Sequence, residues 1–268
     1  MIRDMCGKSV LVTGGTKGIG LAIALGFAQR GAHCTLTYRW GTADEDEVRG
    51  KFSNLSAPEP QLIQADVGET DDTIALLKEI HARHAAIDVF ISNVAGSVVV
   101  PGFEEMNERA LAKSIHYSAW PTFEYMQRMK AEFGKYPRYV VATSSPGADS
   151  YNPGYEFVAA SKAVLETLVK YTNYRLRNED VRINVVRAAA VPTQSTRDMF
   201  GDELFKFLEK LAPPGFKWLR EEDVADVVLA LCSGLMDGVK GQIITVDRGQ
   251  LFSDNLMRLY AQREELGL

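Results

Sequence analysis

The chain has 268 residues, of which 46% are hydrophobic and 24% charged, with 30 Lys and Arg against 35 Asp and Glu. That is enough apolar material for a full core, and it argues against global disorder. The net charge of −5 argues against a nucleic-acid partner, which needs a basic face, and no apolar run reaches the ~20 residues of a membrane span.

Taken in chain order, the N-terminal stretch MIRDMCGKSVLVTGG lacks the apolar segment and cleavage site of a signal peptide. Cys6, Cys34 and Cys232 are odd in number and far apart. They form no zinc spacing and no disulfide framework, so a reducing, cytoplasmic setting is expected. Short β-rich runs occur at 9–13 (SVLVT), 35–38, 61–65, 88–92, 139–143, 183–186 and 243–246. Most are apolar throughout rather than alternating, as strands covered on both faces are. Helix-length segments separate them, including 21–30, rich in Ala and Leu, and 71–84, which opens on acidic residues. The alternation predicts an α/β doubly wound parallel sheet of about seven strands with helices on both faces. No linker divides it, so residues 1–268 read as a single domain. Pro213-Pro214-Gly215 breaks a polar, aromatic insert at 194–220. The last segment, 253–268, reads as an amphipathic helix with Leu256, Leu259 and Tyr260 on one side. It serves either as a cap on its own domain or as a subunit contact.

The first strand runs directly into Gly14-Gly15-Thr16-Lys17-Gly18-Ile19-Gly20, and a helix follows. Glycines are needed where backbone turns tightly against a pyrophosphate, and the helix start offers free N–H groups. A glycine-rich turn between strand and helix at the head of an α/β chain points to a dinucleotide. The spacing Thr-Gly-x-x-x-Gly-x-Gly resembles that of the short-chain dehydrogenase/reductase family, and the likeness runs from about Gly7 to Gly249. Asp66-Val67 resembles the family's adenine-contacting pair. Asn93-Val94-Ala95-Gly96 resembles its turn after the fourth strand. Ser144-Ser145, Val191 and Thr193, and the closing strand from Gly241 to Asp247 match in order. The resemblance implies a Rossmann-type fold and a cofactor held by Gly14, Thr16, Lys17, Gly18, Ile19, Gly20, Asp66, Val67, Asn93, Ala95, Gly96, Lys162, Val191 and Thr193.

An NAD site usually ends its second strand with an acid that binds the ribose 2′-OH. Here that strand ends Thr37-Tyr38-Arg39-Trp40, with no acid before Asp44. Arg39 suits a 2′-phosphate, and Lys17 adds a second cation, so NADP(H) is the expected cofactor.

Reduction needs a donor at the oxygen that gains charge. The family commonly uses Tyr-x-x-x-Lys, but the position four before Lys162 is Val158. Tyr155 lies seven before Lys162, two helical turns, which would put both side chains on one face. Tyr-x6-Lys resembles the enoyl-acyl-carrier-protein reductase branch of the family. An enoyl thioester accepts hydride at Cβ, three bonds from its carbonyl oxygen, and a displaced donor follows that oxygen. The implied catalytic set is Tyr155, Lys162 and Ser145, with Tyr151 read as loop packing. The family's Asn on the crossover helix is replaced by His116, either a proton relay or a satisfied buried histidine. His81 and His84 lack a third ligand, so no metal is expected.

The insert 194–220 occupies the place of a substrate lid. Met199, Phe200, Leu204, Phe205, Phe207, Leu208, Leu211, Phe216 and Trp218 offer an acyl channel or simply pack the lid. Lys206, Lys210, Lys217 and Arg220 suit an acidic carrier protein or a plain charged face. The leading expectation is an NADPH-dependent reductase of an activated C=C bond, a small-molecule or acyl-thioester substrate, carrier-bound or free. A biosynthetic ketoreductase is the alternative among enzymes, and a catalytically silent NADP-binding subunit the alternative outside them. The resemblance further implies a homodimer or homotetramer formed through long crossover helices at 107–133 and 155–177.

Overall fold

The computed structural model describes residues 4–39, 43–96, 100–212, 215–252 and 255–267, except for the side chains of Met199 and Phe200. The expectations that fell on Met199, Phe200, Pro213, Pro214 and Ser253 therefore lie outside the described residues. The strands are β1 (Ser9–Val12), β2 (His33–Tyr38), β3 (Gln61–Gln64), β4 (Val89–Ser92), β5 (Tyr139–Ser144), β6 (Arg182–Ala188) and β7 (Ile243–Val246). They form one sheet in the order β3-β2-β1-β4-β5-β6-β7, and every neighbouring pair is parallel. The order reverses between β1 and β4, which opens a crevice at the carboxyl ends of those strands.

The helices are α1 (Gly18–Ala28), α2 (Glu45–Asn54), α3 (Thr70–His81), α4 (Glu108–Ser118), α5 (Trp120–Phe133), α6 (Glu156–Arg175), α7 (Gln194–Phe200), α8 (Asp202–Leu211), α9 (Glu221–Cys232) and α10 (Asn255–Ala261). Successive strand residues point to opposite faces, so an apolar run feeds two cores at once. Val10 and Val12 join Phe27 of α1 and Val228 of α9 on one face. Leu11, Phe90 and Val140 join Leu77 of α3, Tyr125 of α5 and Leu165 of α6 on the other. This is why the strands lack alternation.

The crossover helix expected at 107–133 is broken at Ala119, whose backbone sits at φ −120, ψ −53. Pro121 has no N–H, and its ring would strike the carbonyl of Tyr117 in a continuous helix. A new helix therefore starts at Trp120, with the proline in its first turn. The tail helix α10 is shorter than expected and buries no residue; Leu256 and Tyr260 are exposed. Its Arg258 donates to the Leu211 carbonyl at 2.5 Å, so it touches the end of α8 rather than capping the sheet.

Phe90 is fully buried and stacks on Tyr125 with centroids 5.3 Å apart. Phe90→Ala is expected to lower unfolding free energy by about 3–5 kcal/mol. Urea denaturation checks this, and a loss under about 1 kcal/mol would show that the second core tolerates the cavity.

Candidate active site

The glycine turn after β1 is fixed to its neighbours by backbone. Gly15 N–H donates to the Thr37 carbonyl at 3.1 Å, and Gly14 N–H to the Thr37 hydroxyl at 3.3 Å. Gly14 and Gly18 hold positive φ, +61 and +54, which side chains rarely adopt. A Cβ on Gly20 would lie 2.3 Å from the Gly14 carbonyl oxygen and 2.6 Å from the Asn93 amide. Asn93 donates to the carbonyls of Thr13 and Gly14 at 3.3 and 3.2 Å, and its N–H reaches the Thr13 hydroxyl at 3.0 Å. The β4 end thus locks the β1 turn. Lys17, exposed, precedes α1 without a side-chain cap, which leaves the first N–H groups of that helix to a ligand.

Beside this turn lies a cavity of about 370 Å³. Gly14, Arg39, Asp66, Val67, Ala95 and Gly96 line it, so six of the residues singled out in the sequence meet there. Arg39 Nε lies 3.3 Å from the Asp66 carboxylate, whose other oxygen accepts from Gly68 N–H at 2.9 Å. Thr193 caps α7 by accepting from Thr196 N–H at 3.2 Å, and its methyl would stand 3.5 Å from a Cβ on Gly18. Val191 is buried, and its carbonyl accepts from Thr193 N–H at 2.7 Å. Thr16 is buried and Ile19 half-buried on the same turn. Sequence reasoning missed Lys113 and Tyr117 of α4, which also line the cavity. A Cβ on Gly68 would lie 2.7 Å from the Tyr117 ring, and one on Gly96 2.8 Å from Tyr117 Cβ. Those two glycines were the available signal.

The second half of the site is built at the end of β5. The Lys162 ammonium, 4% exposed, donates to the Thr143 carbonyl at 2.9 Å. Burial pulls its pKa down to about 8, and the nearby Glu166 carboxylate acts against that fall. Ser144 donates to Glu166 at 2.6 Å. Ser145 Oγ accepts from Gly147 N–H at 3.3 Å; burial pushes the Tyr155 phenol up, and the neighbouring Ser145 acts against that rise. Residues 143, 144 and 145 therefore neighbour, in turn, Lys162, Glu166 and Tyr155.

One correction follows for Tyr155. It is not on the helix but is the residue before it, at φ −100, ψ 5. Its ring packs on Gly147, where a Cβ would come within 2.6 Å of it. Lys162 reaches the end of β5 from α6, and the Tyr155 ring lies against Gly147 just past that strand end. Val158 is buried in α6. Tyr151 is 82% exposed, so it does not pack the loop.

His116 is not the buried histidine that one of its two expected readings made it. It is exposed, and its Nε2 pairs with the Gly68 carbonyl at 2.9 Å. His81 pairs with Glu132 at 2.8 Å, and among the described residues no group of three His, Cys, Asp or Glu side chains suits a metal ion. In the insert, Phe205 and Leu219 are buried, Phe207 is 56% exposed, and Trp218 stacks near Phe205 and Phe216. Much of the insert's apolar surface packs on itself.

A family model described as enoyl-(acyl carrier protein) reductase matches residues 14–250. The chain is 25% identical to the enoyl-acyl-carrier-protein reductase (NADH) FabI of Aquifex aeolicus, across 97% of this chain and 96% of that protein. It is 27% identical to a 3-oxoacyl-acyl-carrier-protein reductase, FabG, of Staphylococcus epidermidis, across 90% and 98%. The crystal structure of the Aquifex enoyl reductase superposes with a TM-score of 0.81 at 23% identity, covering 94% of this chain and 99% of that one.

The Lys162 value of about 8 lies below its ordinary 10.5. The unfolded chain therefore binds the extra proton between those values, and stability due to this residue rises with pH across that window. Relative to Lys162→Met, the parent protein is expected to gain roughly 3 kcal/mol at most as pH climbs through it. Urea midpoints of both proteins measure the difference, and a constant difference would show an unburied, ordinary lysine.

Proposed function

Because this chain belongs to the enoyl-(acyl carrier protein) reductase family of short-chain dehydrogenase/reductases, we propose that it reduces the activated C=C bond of an enoyl thioester with NADPH as cofactor. The observation that carries the reading is the buried Lys162 ammonium fixed on the Thr143 carbonyl at the end of β5, with the half-buried Tyr155 ring packed on Gly147 just past that strand end. A dinucleotide fits the residues present. Gly14 and Gly20 let the turn close tightly on Val94 and Asn93, where a Cβ would strike protein atoms, α1 starts without a side-chain cap, and the cavity by Arg39 and Asp66 adjoins the turn. Gly14, Thr16, Lys17, Gly18, Ile19 and Gly20 would hold its pyrophosphate, Asp66, Val67, Ala95 and Gly96 its adenosine, and Lys162, Val191 and Thr193 its nicotinamide end. When bound, the nicotinamide supplies hydride.

Hydride at Cβ sends negative charge to the thioester oxygen, and a proton at Cα completes saturation. The Tyr155 phenol would donate to that thioester oxygen, with the Ser145 hydroxyl close enough to favour the charged form of the phenol. Such a bond strengthens as charge develops there. The Lys162 ammonium adds a positive field in a dry setting, where charge acts over short range with little screening. Arg39 supports NADPH over NADH, since a guanidinium pairs with a 2′-phosphate more strongly than with the exposed face of one carboxylate.

The Ser145–Tyr155 pair and the FabG-type relative favour a second reading, reduction of a 3-oxoacyl or other carbonyl. NADPH oxidation with crotonyl thioesters against 3-oxo thioesters separates the two. Tight NADPH binding without turnover on either would instead mark a silent binding subunit. For a carrier-bound substrate, Lys210 and Lys217 are the exposed cations of the insert that stand apart from the pairs Lys206–Glu203 and Arg220–Asp223. Trp120, Leu168, Tyr171 and Tyr174 are exposed along α5 and α6, which supports a homodimer or homotetramer through that face.

Two outcomes test the reading. Tyr155→Phe is expected to cut kcat by about 10²–10⁴-fold with NADPH affinity unchanged; retained turnover would remove the phenol from the chemistry. Arg39→Ala is expected to weaken NADPH binding about tenfold or more and to leave NADH binding alone, as fluorescence titration of both cofactors would show. Equal losses for the two cofactors would point to a general structural role for Arg39.

A further inference from the structure

Tyr155 is the cap residue before α6, and its carbonyl accepts from Ala159 N–H at 2.8 Å, so the helix that fixes Lys162 holds the Tyr155 backbone while its non-helical φ and ψ are set by the chain before it. Its place depends on the loop 146–154. Most hydrogen bonds of that loop are local: Asp149 and Ser150 N–H groups donate to the Pro146 carbonyl at 2.9 and 3.0 Å, and Tyr155 N–H to Asn152 at 3.1 Å. Its 146–148 turn packs on α6, with Gly147 buried, and among the described residues two polar contacts tie the rest of it to other parts of the fold. One is Val100 N–H on the Gly154 carbonyl, at 3.3 Å. The other is an ion pair between Asp149 and Arg187.

Arg187 stands on β6 opposite Ser144 in the sheet register. Its Nε and Nη2 grip both oxygens of Glu166, at 2.7 and 2.5 Å, while Nη1 reaches Asp149. Glu166 is one helical turn after Lys162 and is 5% exposed, whereas the Asp149 side chain is 68% exposed. One guanidinium thus joins a buried carboxylate on the lysine's helix to a surface carboxylate on the tyrosine's loop. Its planar fork allows both grips at once; an ammonium would offer neither the span nor the bidentate fit. With Lys162, the four formal charges sum to zero.

We infer that Arg187 is a positioning residue: by clasping Asp149 to Glu166 it locks the loop 146–154 so that Tyr155 stays beside Ser145. The inference rests on the proposed role of Tyr155. Removing Arg187 would strand the buried Glu166 charge and threaten folding, so the clasp is best opened from its exposed end. Asp149→Asn breaks the ion pair and leaves the Arg187–Glu166 pair whole; Asp149→Glu restores the charge.

Hydrogen exchange read by mass spectrometry on the loop peptide, together with steady-state kinetics, tests this. In Asp149→Asn, amides of the loop are expected to exchange about fivefold faster, while the urea midpoint holds. Its kcat is expected to fall about tenfold or more with little change in the KM for NADPH, and Asp149→Glu is expected to recover most of both effects. Unchanged loop exchange in Asp149→Asn would overturn the clasp. So would a kcat loss that Asp149→Glu does not recover. If the parent protein turns over no enoyl or keto substrate, the reductase reading fails, and loop exchange alone still decides whether the clasp exists.

Discussion

A buried ammonium must find a partner other than water, and here the Thr143 carbonyl is that partner. Thr143 is the penultimate residue of β5, so its carbonyl lies at the strand's carboxyl end, where α6 brings the lysine. Burial without this acceptor would cost several kcal/mol. With it, Lys162 sits at a fixed point with a depressed pKa, and the adjoining residues of the same strand end place Glu166 and Tyr155 around it. The half of the site that would do chemistry is therefore specified by the last two residues of β5 and the one that follows it.

The dinucleotide half depends on a different constraint, the absence of side chains. Gly20 lies so close to the Gly14 carbonyl and the Asn93 amide that no other residue fits without moving the turn. Asn93 in turn ties the end of β4 to the end of β1. The floor of the crevice where strand order reverses is thus held by hydrogen bonds and by glycines that let the turn and the β4 end pack closely. Lys162 is linked to the same structure, since the Thr143 hydroxyl donates to the Asn93 carbonyl at 3.3 Å. Cofactor turn and lysine are two ends of one bonded chain.

Much of this was legible in the residue order. All seven strands fall where apolar runs predicted them, because strands buried on both faces leave an unmistakable pattern. The glycine turn, Asp66 and the Asn93 turn converge on one region because spacing encodes the strand–turn–helix unit. What could not be read was anything decided by tertiary contact. The start of α6 just past Tyr155 depends on a loop anchored by Arg187, whose partners lie 21 and 38 positions away. His116 is exposed because α4 turns it toward the Gly68 carbonyl, a contact across 48 positions. Pro121 did announce the break after Ala119, but only once its place in a long helix was known.

The central claim is that a phenol carried by a loop, rather than by the lysine's helix, reaches the reacting oxygen. A crystal structure with NADPH and an unreactive saturated acyl thioester tests it most directly. The account predicts the Tyr155 hydroxyl within hydrogen-bonding distance of the thioester oxygen, with Lys162 against the nicotinamide ribose. A Tyr155 ring turned to solvent, with another donor on that oxygen, would contradict it.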